Sequence, residues 1–219
     1  MEKPRKTYKG LAMEGIIARW YARTTKRDME EYRTSARIVA ERLNPGDTVL
    51  ELAPGPGYLA IELSKLGNYK IYGVDISETF VRIARENAKQ VHADVNFRRG
   101  DATFIPFADD FFDFIVNKAA FKNFTEPVRV LNEMYRVLKT NARAVIFDMR
   151  PDVSRTTIDE QVKKMHLGRI SSLITKMSLN GLKKAAHSKS EFKQFIAHTD
   201  FDEYEIQEDP MGLAVWLEK

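Results

Sequence analysis

The 219-residue sequence predicts an α/β domain: a doubly wound, seven-stranded, mostly parallel sheet with a C-terminal antiparallel hairpin. Three observations predict it. Five short apolar runs between residues 48 and 149 alternate with segments of helical spacing, which requires right-handed crossovers and a sheet covered on both faces. The first run passes through a tight turn, Pro54-Gly55-Pro56-Gly57, directly into a helical pattern. "YEIQ" and "LAVWL" near the C-terminus flank Glu208-Asp209-Pro210-Met211-Gly212, a hairpin pattern.

The elements follow in order. Residues 1–46 read as an N-terminal helical segment, with Tyr32, Ala36, Val39, Ala40 and Leu43 on one helix face. "NPGD" at 44–47 is a turn, and Thr48–Leu52 is the first strand. A helix is expected from about Tyr58 to Leu66, then the strand "KIYGV" at 70–74. Ser77 can cap a helix carrying Phe80, Val81, Ile83, Ala84 and Ala88. "VNF" at 95–97 and "FDFIV" at 112–116 are the next strands. Thr125 is expected to cap a helix with Val130, Leu131, Met134 and Leu138 inward, before the strand "RAVIFDM" at 143–149.

After residue 150 the spacing changes. Ile158, Val162 and Met165 form one helical stripe, and Ile170, Leu173, Ile174 and Met177 another, with Gly168 near the break. Residues 151–190 read as a helical lid, although the same stripes suit a homodimer face or plain core. Ser190 is expected to cap a last helix ending at Ala197. No linker divides the chain, so residues 1–219 are expected to form a single domain.

Composition narrows the function classes. The chain has no cysteine, which excludes a disulfide framework, thiol catalysis and a cysteine-ligated zinc site. No apolar run approaches the ~18 residues of a membrane span, and there is no signal-peptide core, so a cytoplasmic protein is expected. The net charge is +4, but residues 1–46 hold 11 Lys+Arg against 6 Asp+Glu. Such a basic segment suits a solvated helix face, RNA, an acidic ligand or an anionic membrane surface.

The turn at 54–57 points to a ligand. In an open parallel sheet, ligands bind beyond the carboxyl ends of the strands, where strand order reverses. Glycine lets backbone approach a ligand without a Cβ in the way, and the following helix N-terminus offers unpaired N–H groups. Gly55-x-Gly57-x-x-Ala60 with Asp75 also fits a dinucleotide fingerprint. The acid Glu51 beside the loop disfavours a pyrophosphate, and Gly100-Asp101-Ala102 and Asp113–Asn117 add further features at strand ends.

Together these residues resemble the class I S-adenosylmethionine-dependent methyltransferases, and they imply that group's Rossmann-like fold. "ELAPGPG" is similar to the family's acid-x-Gly-x-Gly-x-Gly loop, with Ala53 in place of the first glycine. "GVDIS", "GDATFIPF" and "FDFIVNKA" match the following motifs in order, so the resemblance covers roughly residues 13–150. It implies S-adenosyl-L-methionine as cofactor and S-adenosyl-L-homocysteine as product, with no metal. Asp75 would hold the ribose hydroxyls, Asp101 the adenine amine, and the Ala102 N–H a ring nitrogen. Glu51, Ala53, Gly55, Gly57, Ile76, Asn117 and Tyr21 complete the implied cofactor set.

"AAFKNF…VLNEMYRVLK" at 119–139 and "IARWYA" at 17–22 are similar to the ubiquinone/menaquinone C-methyltransferase group. The chain departs from it at Thr140-Asn141-Ala142, where Pro-Gly-Gly is usual, and at Lys122, where that group has arginine. The resemblance therefore carries over the reaction class and a small-molecule methyl acceptor, with nucleic acid disfavoured, but not the quinone. Tyr21, Asn123 and His187 are the candidate catalytic residues. Lys122 and Arg150 are candidate polar contacts, Trp20 a candidate aromatic wall or packing residue, and His166 a second histidine in the acceptor region. An RNA or protein methyltransferase and a non-catalytic cofactor-binding module are the alternatives.

Overall fold

The computed structural model describes residues 7–9, 13–164 and 168–219. Met165 and His166, expected in the lid stripe and the acceptor region, lie outside them, as do the side chains of Ile170 and Ile174. Seven strands form one sheet: β1 (Thr48–Leu52), β2 (Lys70–Asp75), β3 (Val95–Arg99), β4 (Phe112–Lys118), β5 (Leu138–Met149), β6 (Glu203–Glu208) and β7 (Gly212–Glu218). Their order is β3-β2-β1-β4-β5-β7-β6. The first five are parallel, and β7 runs antiparallel between β5 and β6. Strand order reverses between β1 and β4, where Leu52 and Asn117 are register partners at the carboxyl ends.

Eight helices accompany the sheet among the described residues: α1 (Gly15–Thr25), α2 (Met29–Ala40), α3 (Tyr58–Ser64), α4 (Glu78–Gln90), α5 (Pro127–Val137), α6 (Arg155–Lys164), α7 (Arg169–Ala185) and α8 (Lys189–Ile196). The central strands are buried on both faces, so their side chains divide alternately between two cores. Leu50, Ile115, Ala144 and Ile146 join Val130, Leu131 and Met134 of α5 and Phe192 and Ile196 of α8. Val49, Phe114, Val116 and Val145 join Ala36 and Val39 of α2, Leu59 of α3 and Val81 and Ala84 of α4. A third, smaller cluster of Val153, Ile158 and Val162 packs on Met149, Leu179 and Met211, which seats α6 and α7 at the carboxyl end of β5. No helix of the described residues is long and apolar enough to cross a membrane.

Three boundaries differ from the sequence reading. Thr125 does not cap α5: its N–H donates to the Thr7 carbonyl, and the helix begins at Pro127, whose fixed φ suits a first turn. The cap of α8 is Ser188, not Ser190, because Ser188 and Glu191 complete a reciprocal capping box. Leu138 caps the C-terminus of α5, its N–H donating to the Met134 carbonyl, and β5 starts at the same residue and runs through Thr140-Asn141-Ala142, with a register shift against β4 between its Leu138 and Arg143 pairings. Asn141 takes φ +62°, which asparagine tolerates, and its N–H donates to the Lys219 carbonyl.

Candidate cofactor and acceptor site

The chain crosses from β1 to α3 through three residues with positive φ: Ala53 (+55°), Gly55 (+52°) and Gly57 (+78°). A left-handed bend is the shortest way to turn a strand into a helix while the backbone stays near the carboxyl ends. Ala53 thus occupies a position that glycine fills more cheaply. The two glycines serve different ends. A Cβ on Gly57 would lie 2.6 Å from Phe97 and 2.9 Å from Ala84, so its bareness lets α3 close on α4 and β3. A Cβ on Gly55 would meet nothing within 4 Å, so Gly55 leaves open the space a ligand would take.

Asp75 ends β2 and is buried. One carboxylate oxygen accepts the Gly55 N–H at 2.9 Å, and the other accepts the Ser77 N–H at 2.9 Å. Burial pushes its carboxyl upward, and these two bonds oppose that. Glu51 points along the loop, and its Oε2 accepts the Ala60 N–H at 2.8 Å. It thereby caps the first turn of α3, where Gly57 has no side chain to do so. Burial pushes its carboxyl up to about 8, helped by the Asp75 charge and opposed by the Ala60 N–H and Lys118.

Asn117, at the switch point, is fully buried. Its amide donates to the Leu52 carbonyl at 2.8 Å, but its Oδ1 has no partner among the described residues. A buried acceptor left unmatched costs about 1–3 kcal/mol, so this atom fits a donor brought by a ligand.

The remaining expected residues spread around this centre. Ile76, 37% exposed, follows Asp75 and offers an apolar surface, while Ala102 is buried. Asp101 is a turn acid, accepting the Thr103 N–H and hydroxyl, and its Oδ2 accepts the Thr7 hydroxyl at 2.7 Å. Tyr21 of α1 lies half-buried, edge-on to Phe80 of α4 with centroids 5.7 Å apart. Trp20 points outward at 56% exposure, so it neither walls the site nor packs, because α1 turns Ala18 and Ala22 inward instead.

The segment before α1 crosses the same end of the sheet; sequence reasoning brought Tyr21 of the N-terminal helix to the site but missed the contacts of this segment. Thr7 to Lys9 runs beside residues 123–125, with the Lys9 N–H on the Asn123 carbonyl at 2.6 Å. The Met13 carbonyl accepts the Ser77 hydroxyl, and the Glu14 carboxylate accepts the N–H groups of Glu78 and Thr79. Glu14 therefore completes the N-terminus of α4 from a distant part of the chain. Nothing in its local spacing announces this.

Among the acceptor-side candidates, Asn123 is exposed on the loop after β4. His187 is buried among Phe121, Phe192 and Phe195, with Nδ1 3.3 Å from Glu191 and Nε2 3.5 Å from the Lys9 ammonium. Lys122 is no free contact: it is buried, paired with Asp148 at 2.8 Å, and also donates to the Ala119 carbonyl. Arg150 is likewise engaged, with Asp152 at 2.8 Å. An open cleft of about 430 Å³ lined by Arg150, Asp152, Ser188, Lys189 and Leu213 contains none of the cofactor-set residues. The described residues contain no cluster of side chains suited to a metal ion.

Comparison with known proteins points to methyltransferases. Residues 50–146 match a family described as a methyltransferase domain. A 2-phytyl-1,4-naphtoquinone methyltransferase of Synechococcus elongatus is 36% identical over 129 residues, covering 57% of this chain and 54% of that protein. A demethylmenaquinone methyltransferase of Thermus thermophilus is 34% identical over 104 residues, covering 47% of each. The chain thus spans about half the length of the curated relatives it matches. A crystal structure from Methanococcus maripaludis, provisionally described as an S-adenosyl-L-methionine-dependent methyltransferase, superposes with a TM-score of 0.76 at 18% identity over 98% of this chain and 97% of that one. That likeness establishes the fold. By sequence the likeness to methyltransferases lies in residues 50–146, and by fold it extends across the sheet.

Proposed function

We propose that this chain transfers a methyl group from S-adenosyl-L-methionine to a small, lipophilic acceptor. One observation carries the reading. At the switch point, an open glycine bend and an unmatched buried acceptor lie at the carboxyl ends of adjacent strands, with the buried carboxylates of Glu51 on β1 and Asp75 on β2 beside them. This suits a ligand that combines a carboxylate, an α-amino group, a sulfonium and a nucleoside. The quinone-directed names of the relatives motivate the lipophilic acceptor.

Each residue has a task in that reading. The Gly55 bend admits the ligand against backbone, and Asn117 Oδ1 accepts from its amino group. Glu51 supplies negative potential near the cationic end. Asp75 retains acceptor capacity on both oxygens for ribose hydroxyls beyond its two backbone bonds. Ile76 and Ala102 flank the base, and Asp101 receives the exocyclic amine once Thr7 yields. The bound cofactor supplies an activated methyl on sulfur, so the chain's contribution is alignment and exclusion of water. We assign the lid to α6 and α7, and the base for an acidic acceptor proton to His187, held at Nδ1 by Glu191. Tyr21 shapes the ribose side, and Asn123 borders the mouth.

The test is a mass-resolved methyl-transfer screen over quinols, phenols, amines, thiols and tRNA, with S-adenosylhomocysteine titrated in parallel. Turnover of a phenolic or quinol acceptor with little salt dependence supports the reading. Turnover confined to tRNA and falling steeply with salt would replace it with an RNA enzyme. Tight nucleoside binding without turnover of any acceptor would leave only a binding module.

A further inference from the structure

The α1 helix wears its large apolar side chains on the outside. Its inner face is Ala18 and Ala22, both buried, with Tyr21 against Phe80. Its outer face exposes Ile16 at 82%, Ile17 at 43% and Trp20 at 56%. Ile16 and Trp20 are one turn apart and Ile17 borders them, so the three form one patch. Alongside stand Arg19, Arg23, Lys26 and Arg27, all exposed and with no ion pair among the described residues. The helix itself contains no acidic residue.

We propose that α1 docks this protein on an anionic lipid surface. A helix lying in the bilayer interface buries its apolar side chains at the headgroup–acyl boundary while basic side chains meet lipid phosphates. The α1 face has both parts in the required adjacency. Charge decides against other occupants. A second copy related by a two-fold axis would bring four basic side chains against four like ones. A nucleic acid would satisfy the arginines, and Trp20 could stack on a base, but Ile16 and Ile17 would stay in water. Met13 and Glu14, immediately before α1, bind the N-terminus of α4 beside Asp75, so the docking helix is tied directly to the ribose side of the site. The docking itself is independent of which acceptor is methylated.

The test is co-sedimentation of the full chain with vesicles of phosphatidylcholine alone and of an equal mixture with phosphatidylglycerol. Binding to the mixture, with weak binding to phosphatidylcholine alone, is expected. Brominated acyl chains should quench Trp20, while Trp216, buried in the core, keeps its emission. Each basic side chain is worth about five-fold in partitioning, so Arg19→Gln with Arg23→Gln should weaken binding about 25-fold. Ile16→Ser, Ile17→Ser and Trp20→Ser together should weaken it about tenfold or more. Both variants should bind S-adenosylhomocysteine like the parent, which verifies their folding. Failure of the parent to bind the mixed vesicles would overturn the proposal. So would undiminished binding by the apolar triple variant, or self-association that this variant abolishes.

Discussion

The Asp75 carboxylate reaches 20 residues back along the chain to accept the Gly55 N–H at 2.9 Å, while its second oxygen holds the Ser77 N–H at the start of α4. One side chain thus sets the loop after β1 and the start of α4 before any ligand arrives. A ribose bound there would meet acceptors already fixed by the fold.

This double role separates two substitutions. Asp75→Asn keeps an oxygen for one backbone N–H but loses the charge, whereas Asp75→Ala loses both anchors. Hydrogen bonds to charged groups are worth roughly 1.5–3 kcal/mol, so Asp75→Asn should weaken S-adenosylhomocysteine binding by about 10- to 150-fold. Asp75→Ala should also lower thermal stability. Calorimetric titration beside a melting curve reads both. Unchanged affinity in Asp75→Asn would remove the ribose assignment.

Glu51 predicts a pH dependence. Burial raises its carboxyl from the ordinary 4.5 to about 8 in the folded chain. An acid whose pKa is raised on folding contributes stability in full below 4.5 and loses it as pH climbs through about 8. Urea unfolding across that window should show declining stability, with a flatter profile in Glu51→Gln. A cationic cofactor favours the ionised form, so its binding should release a proton within the window. Titration in buffers of different ionisation heat measures that release, and S-adenosylhomocysteine, lacking the sulfonium charge, should release less.

Ala53 holds φ +55° where a Cβ strains the backbone. Relief of that strain outweighs the extra chain entropy of glycine, so Ala53→Gly should stabilise the protein by about 0.5–1 kcal/mol. At this chain length the melting temperature should rise by about 1–4 °C. A lower melting temperature would show that the alanine side chain contributes packing that outweighs the strain.

The Lys122–Asp148 pair is the most deeply buried ion pair described, with side chains 3% and 2% exposed. Asp148 also accepts the N–H groups of Lys122 and Met149. Breaking a buried pair from one side strands the other charge, so Asp148→Ala should cost about 3–5 kcal/mol in chemical denaturation. Lys122→Met, which leaves Asp148 two backbone donors, should cost less.

Much of this was legible in advance where the signal was local. The alternation of apolar runs placed the five parallel strands and the hairpin. The Ser77 cap is present, its hydroxyl accepting the Phe80 N–H at 3.0 Å. One cap was misplaced where a distant segment intervened, at Thr125, which Thr7 engages; the other, at Ser190, was two residues from the local capping box of Ser188 and Glu191. Lys122 and Arg150 looked like free cations because spacing does not reveal that Asp148 and Asp152 already hold them.

The sequence by itself determined the order of elements, the glycine-and-proline bend, and the presence of acids at the ends of successive strands. These depend on backbone preference and on periodic burial within a few neighbouring residues. Only the tertiary structure decided what each acid touches: Glu51 capping α3, Asp75 tying the loop to α4, Thr7 resting on Asp101, and Glu14 closing the N-terminus of α4. Those contacts join residues far apart in the chain. Their strength comes from burial and direction, which exist only once the sheet has brought the strand ends together.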